Sequence, residues 1–352
     1  MLSLLCQSND QPTFTVIPIC CLIVLVPDRN PSPPPGPFIE GSCTNNAGTR
    51  GYKVYVPTGY HGQPLPLVVM LHGCTQDPDD FAAGSRMNAL AEENSCLVVY
   101  PSQPQAANQS RCWNWFNALH QQRDEGEPSL IADITREVIK TYHIDARHVF
   151  IAGMSAGGAM AVIMAATYPE LYAAVGSHSG MPYRSAKNAY SAMTAMSRGA
   201  ATIESLGARG IPIIVFQGDD DRRVHASNGD QIIAQWRGST AEPAPAGSAT
   251  QESTESNGRA YQRTIHLDAE GNRVAEHWVV NGVGHRWSGG NPRGSHTDSQ
   301  GPDASREMLR FFLGSLKDPV VDTNGPASRG IFRRYLRALR VVRKRFGRPD
   351  GS

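Results

Sequence analysis

A mainly parallel β-sheet with helices on both faces is the fold predicted by the order of apolar patterns along this chain. Short apolar runs at 67–71, 97–100, 148–152, 173–177 and 213–217 have the length and composition of buried strands. Helical patterns at 79–94, 128–142, 157–168 and 228–237 fall in the gaps and after the last run. Alternation of this kind is the mark of an α/β architecture.

Each run earns its place by its residues. Most of the strand candidates are rich in Val, Ile, Leu or Phe, with polar residues (His148, Ser177 and Gln217) only at their ends, as expected when both sheet faces are covered. Two later β-like runs, 261–266 and 275–280, precede a final helix at 303–313. Five prolines within 31–37 favour an extended spacer, which places the domain start just after it. Residues 238–258, rich in Ser, Thr, Ala, Pro and Glu, read as an inserted surface loop, and 318–330 as a last linker. The expected organisation is an N-terminal segment and linker at 1–37, a catalytic domain at 38–317 and a tail at 318–352.

Composition narrows the function. With 40% hydrophobic and 18% charged residues the chain can bury a large core, which excludes wholesale disorder. A formal charge of +1 provides no global field to gather polyanions, so nucleic acid is not an expected partner. The charge is uneven, however. Residues 329–348 hold nine basic side chains and no acid, and Phe332, Tyr335, Leu336, Leu339, Val342 and Phe346 fall on one side of a helical projection. That is the pattern of a surface-adsorbing amphipathic helix, or of a solvated tail. Seven cysteines without CxxC spacing do not resemble a zinc framework, so no metal is expected. Residues 14–26 have the length of a signal-peptide core, yet Asp10 precedes them in place of a basic residue and Pro18 interrupts them. A degenerate signal and a misassigned start both fit.

The chemistry sits just after the strand candidates, where open α/β sheets place it. Gly153-Met154-Ser155-Ala156-Gly157 matches the G-x-S-x-G elbow, with an apolar strand before it and a small-residue helix after it. Ser155 is therefore the expected nucleophile, and the backbone N–H of Ala156 an oxyanion donor. The second donor should come from the loop after 67–70, with Cys74 the candidate and Thr75 the alternative. His72, which precedes the serine, reads as structural. Of three successive acids after 213–217, Asp221 is preferred, because Val224 in Asp-x-x-Val can pack back on the core while the carboxylate reaches inward. Asp219 and Asp220 read as solvated turn residues. His285, in the loop after 276–280, is the expected base, ahead of His225, His277 and His296. The order Ser, Asp, His is that of an α/β-hydrolase and not of the trypsin-like or subtilisin-like proteases. Acyl transfer through Ser155 follows, and it requires no cofactor.

The chain resembles the polyhydroxybutyrate depolymerase family of esterases, relatives of feruloyl and acetylxylan esterases, over about 41–313. The matching stretches are 66–76 (PLVVMLHGCTQ), 112–116 (CWNWF), 153–160 (GMSAGGAM), 284–290 (GHRWSGG) and 301–313 (GPDASREMLRFFL). The resemblance implies a secreted, metal-free serine esterase with the same three residues, acting on polyester or, alternatively, on acylated plant polysaccharide. A non-catalytic surface-binding protein is the third reading, against which the complete set of catalytic residues argues. Gln217 departs from a frequent family His at a position expected to matter little. Cys43 and Cys96 are expected to be small buried hydrophobes. Cys74 and Cys112, both in matching motifs, are expected to form a disulfide. Trp113, Trp115 and Trp287, with His178, are expected to line the substrate site as an apolar or sugar-stacking wall, core packing being the alternative for the tryptophans.

Overall fold

The computed structural model describes residues 36–206, 211–237, 249–268 and 271–314. The apolar segment at 14–26 and the basic tail at 318–352 lie outside the described residues. Ten strands form one sheet: β1 (Phe38–Asn45), β2 (Gly48–Tyr55), β3 (Leu65–Leu71), β4 (Leu97–Pro101), β5 (Ile144–Met154), β6 (Ala174–His178), β7 (Ile213–Gly218), β8 (Ala249–Ser256), β9 (Arg259–Leu267) and β10 (Arg273–Val280). Their spatial order is β1-β2-β4-β3-β5-β6-β7-β10-β9-β8. The central strands β4 to β10 in that order pair in parallel, while β1 and β2 close one edge and β9 and β8 the other in antiparallel fashion.

Both faces of the sheet are covered, so its middle strands have no polar side. In β3 all seven residues are buried, and successive side chains go to opposite layers. Leu67, Val69 and Leu71 pack with α3 (Gly126–Thr141), α4 (Ala156–Thr167) and α6 (Ser227–Arg237). Val68 and Met70 pack with α1 (Pro78–Ser85), α2 (Met87–Asn94) and α7 (Ala304–Gly314). Helix α4 is apolar on nearly every side and almost wholly buried, as a helix without a polar face must be. Helix α5 (Ala189–Arg198), absent from the sequence reading, starts with a capping box in which Asn188 and Ser191 satisfy each other's backbone N–H groups. Among the described residues no helix is long and apolar enough to cross a membrane.

Three expectations need correction. The helix expected over 79–94 is two helices, broken at Arg86, whose φ of 57° is left-handed. At the break the Arg86 N–H closes the first helix on the Ala82 carbonyl, and its side chain reaches Asp303 at 2.5 Å and the Gly289 carbonyl at 3.4 Å. The surface loop expected over 238–258 ends in β8, which pairs with β9 from Ala249↔His266 to Ser256↔Arg259. The edge strands β1 and β2, a hairpin at the start of the domain, were not foreseen. Cys43 and Cys96 are free and buried, as expected.

Candidate active site

The carboxyl ends of β5, β7 and β10 bring the expected residues toward one edge of the sheet. Ser155 follows β5 and opens α4 with φ 56° and ψ −121°, a conformation costly for a residue with a Cβ. The glycines on each side make that turn fit. A Cβ on Gly153 would lie 2.3 Å from the Gly157 carbonyl oxygen, and one on Gly157 would lie 2.1 Å from that of Leu71. Only hydrogen fits at either position. The Ser155 N–H donates to the His178 carbonyl at 2.9 Å, which ties the elbow to the next strand.

The loop after β3 lies against the serine. An ideal Cβ on Gly73 would come within 3.6 Å of Ser155 Cβ. The Gly73 N–H is held by Gln76 Oε1 at 2.9 Å, and the Thr75 N–H donates to the Ser110 carbonyl at 2.7 Å. Of the two donors the sequence left open, Thr75 is thus committed elsewhere. The N–H of Cys74 has no acceptor among the described residues, and Ala156, as the first residue of α4, has no carbonyl one turn behind it in the helix. Cys74 is bonded to Cys112, which staples this loop to the segment after β4. His72 is structural: its Nδ1 donates to the Gly73 carbonyl at 2.8 Å and its Nε2 accepts the Gln103 N–H at 3.1 Å. Burial is the main cause that lowers its pKa to about 4, with the Gly73 bond opposing, so the ring is neutral.

The other two residues meet directly. His285 Nδ1 lies 2.8 Å from Asp221 Oδ2, and because an ionised carboxylate only accepts, Nδ1 carries the proton and Nε2 the lone pair. Asp221 Oδ1 accepts the N–H groups of Arg223 and Val224, both at 2.9 Å. Burial works to raise the carboxyl's pKa, but the His285 bond and charge and these backbone donors prevail and lower it. The two loops are laced together, since Asp219 N–H donates to Val280 O and Asp220 N–H to Val283 O, each at 3.2 Å. Gly218 permits that approach: a Cβ there would sit 2.1 Å from the Val283 oxygen. Asp219 and Asp220 stay exposed, Asp219 capping the Gly282 N–H and Asp220 pairing with Arg222.

The expected aromatic wall needs correction. Trp113, Trp115 and Trp287 are 0%, 4% and 1% exposed, so none offers a ring face to a substrate. Trp287 stacks on His178 at 5.0 Å, meets Phe81 edge-on and donates its indole N–H to Ser305. His178 is buried as well; its Nε2 accepts the Ser288 N–H at 3.1 Å, and burial chiefly lowers its pKa to about 3. These rings hold the serine and histidine loops from below, a role that position after a strand does not distinguish from lining. Gln217 was underrated. Its Nε2 lies 2.9 Å from the Val224 carbonyl and 3.3 Å from Asp221 Oδ2, so it braces the acid, a position its place directly before Gly218 could have signalled. Two surface cavities of about 310 and about 560 Å³ contain none of Ser155, Asp221 and His285. Among the described residues no group of three or more His, Cys, Asp or Glu side chains could hold a metal ion.

Residues 50–250 match the family described as Esterase PHB depolymerase. The chain belongs to this esterase family. It is similar to poly(3-hydroxyalkanoate) depolymerase C of Paucimonas lemoignei, 31% identical over 254 residues that make up 69% of this chain and 59% of that protein. It is also similar to a probable acetylxylan esterase A of Aspergillus fumigatus, 35% identical over 140 residues, 40% of this chain and 36% of that one. The chain therefore spans less than two thirds of the length of these relatives. The solved acetyl xylan esterase from Aspergillus awamori superposes with a TM-score of 0.60 at 22% identity, covering 78% of this chain and 98% of that one. That likeness shows the α/β-hydrolase fold.

Proposed function

We propose that residues 38–317 form a serine carboxylic-ester hydrolase that acts on hydroxyalkanoate polyesters or their short oligomers. The observation that carries the reading is the 2.8 Å bond between His285 Nδ1 and Asp221 Oδ2, made by loops that meet at the sheet edge where Ser155 sits on its constrained elbow. In the first half-reaction Ser155 Oγ bonds to the ester carbonyl carbon while its proton passes to His285 Nε2. Asp221 stabilises the resulting imidazolium, and the N–H groups of Cys74 and Ala156 hold the oxyanion. Collapse expels the alcohol, which takes the proton from Nε2 and leaves Ser155 acylated. Water then attacks the acyl carbon, gives its proton to Nε2, and releases the acid as Ser155 recovers its own.

Membership of the family and the name of the Paucimonas lemoignei relative support the polyester class. The acetylxylan esterases among the relatives support acylated polysaccharide as the second reading. An extracellular setting is supported by the Cys74–Cys112 bond, since disulfides persist mainly in oxidising compartments. A serine-directed phosphonate should label the wild type and leave Ser155→Ala unlabelled, with turnover reduced by several powers of ten and the fold intact. Purified enzyme compared on hydroxybutyrate trimers, methyl ferulate and acetylated xylan at equal ester concentration should show the highest kcat/KM on the trimers. Preference for either plant ester would overturn the substrate class and leave the mechanism standing.

A further inference from the structure

The rim of this site carries charge in place of the aromatic surface expected there. Most described arginines lie against a carboxylate, as Arg86 does on Asp303, Arg259 on Asp298 and Arg310 on Glu276. Arg223 and Arg286 are exposed, and neither guanidinium has an ion-pair partner among the described residues. Both are anchored to the acid–base pair through the backbone. Arg223 gives its N–H to Asp221 Oδ1 at 2.9 Å, and Arg286 follows His285 directly, with its own N–H turned back on Gly284 O at 2.8 Å. His296 completes the rim. Its carbonyl accepts the Trp287 N–H at 2.7 Å, and its exposed ring places Nε2 3.3 Å from Thr75 Oγ1, next to the donor loop.

The nearby carboxylates are already engaged. Asp80 accepts from Ser295 and Gln76, Asp77 pairs with Arg111, Asp220 pairs with Arg222, and Asp219 caps Gly282. The proton affinity of His296 is lowered first by partial desolvation and then by the charges of His285, Arg223 and Arg286, against an opposing effect of Asp80. A guanidinium is a planar fork matched to a carboxylate, and two exposed ones without ion-pair partners, on residues that adjoin Asp221 and His285, can receive one.

We propose that Arg223, Arg286 and His296 recognise a carboxylate carried by the ester substrate. The inference rests on Ser155 being the site of hydrolysis and sharpens the substrate class to acid-bearing esters. A carboxylate of this kind ends every hydroxyacid oligomer, and it also occurs as a uronate beside an acylated sugar. Each cut in a polyester leaves a new acid end on the fragment, so the rim favours soluble fragments over the neutral interior of a long chain.

The test uses the full chain and pairs of esters that differ only in charge. Binding to the Ser155→Ala protein is measured by calorimetry for hydroxybutyrate trimer acid and its methyl ester, and for a uronate-bearing acetylated xylo-oligosaccharide and its carboxyl-reduced form. The wild type is measured by kcat/KM on the same pairs. At least one acid should bind about tenfold more tightly than its neutral partner at low salt, an advantage that shrinks in about 0.5 M NaCl. Arg286→Gln and Arg223→Gln should each cut that ratio by about threefold, and the double variant should abolish it. The pair that shows the preference identifies the source of the carboxylate. A ratio near one for both pairs, or one that survives in the double variant, overturns the proposal. Loss of turnover in the wild type with the binding ratio intact would instead overturn the esterase reading alone.

Discussion

The serine elbow and the acid–base pair occupy the same edge of one sheet, but they are held in different ways. The elbow is local: Gly153 and Gly157 lie within two residues of Ser155, and the backbone of β3 packs against them so tightly that a single methyl has no room. The acid–base pair joins loops 64 residues apart, through lacing at Val280 and Val283 and a bond of 2.8 Å. One half of the candidate site is therefore built into the core, and the other depends on the mutual fit of two surface turns. Damage to the first should reach the fold, while damage to the second should reach activity.

The largest effect tests the pair. Asp221→Asn should lower kcat by about 10⁴, because the amide can present its N–H to Nδ1 and fix the wrong tautomer. Asp219→Asn and Asp220→Asn should each change kcat by less than about threefold, since surface substitutions away from special features are nearly neutral. Equal losses at all three positions would break the assignment of the acid.

The contrast between elbow and loops is sharpened by matched glycine substitutions. Gly157→Ala sets a methyl against the backbone of β3 and should prevent recovery of folded protein, whereas Gly218→Ala pushes on Val283 in a loop. The latter should keep a cooperative melt while kcat falls by about a hundredfold, since a displacement of about 1 Å can cost that much. Circular dichroism melts of the two proteins decide the matter. A well-folded Gly157→Ala protein would show that the elbow is less constrained than the spacing requires.

The smallest effect concerns the supports beneath the site. His72 and His178 are buried neutral, with pKa values of about 4 and about 3, below the ordinary 6.5. As pH falls through about 6.5 the unfolded chain binds protons that the fold refuses, so their contribution is complete above that pH and is lost toward the folded values. Each residue should cost about 2 kcal/mol of stability by about pH 5. Urea titrations at pH 7 and pH 5 should show the decline. A pH-independent midpoint would mean that these rings are not desolvated.

How much the sequence disclosed follows the same division. The parallel strands were legible because double burial leaves unbroken apolar runs, as in β3 and β7. The elbow at Ser155 was legible because its glycines are adjacent in sequence, and the contact between Asp221 and His285 because each follows a strand at the sheet edge. The outer strands were not. β8 reads ATQESTES, which has no apolar face to announce it, and β1 is mostly exposed or half-buried, so pairing alone defines them. The break at Arg86 was hidden because the groups its side chain contacts, Asp303 and the Gly289 carbonyl, are more than two hundred residues away. Trp287 and His178 are buried and stacked on each other, and sequence position does not tell a ring that faces substrate from one that props the turn.

The covalent link between Cys74 and Cys112 ties the loop after β3 to the segment after β4. Before oxidation Cys74 and Cys112 are thiols, and the loop that carries the candidate oxyanion donor is held by hydrogen bonds alone, among them Gly73 N–H to Gln76 and Thr75 N–H to Ser110. Closing the 38-residue separation removes about 4 kcal/mol of freedom from the open ensemble on a chain-entropy reckoning. The bond therefore acts mainly on the unfolded chain, and in a reducing medium the same fold would have to be reached without that restriction.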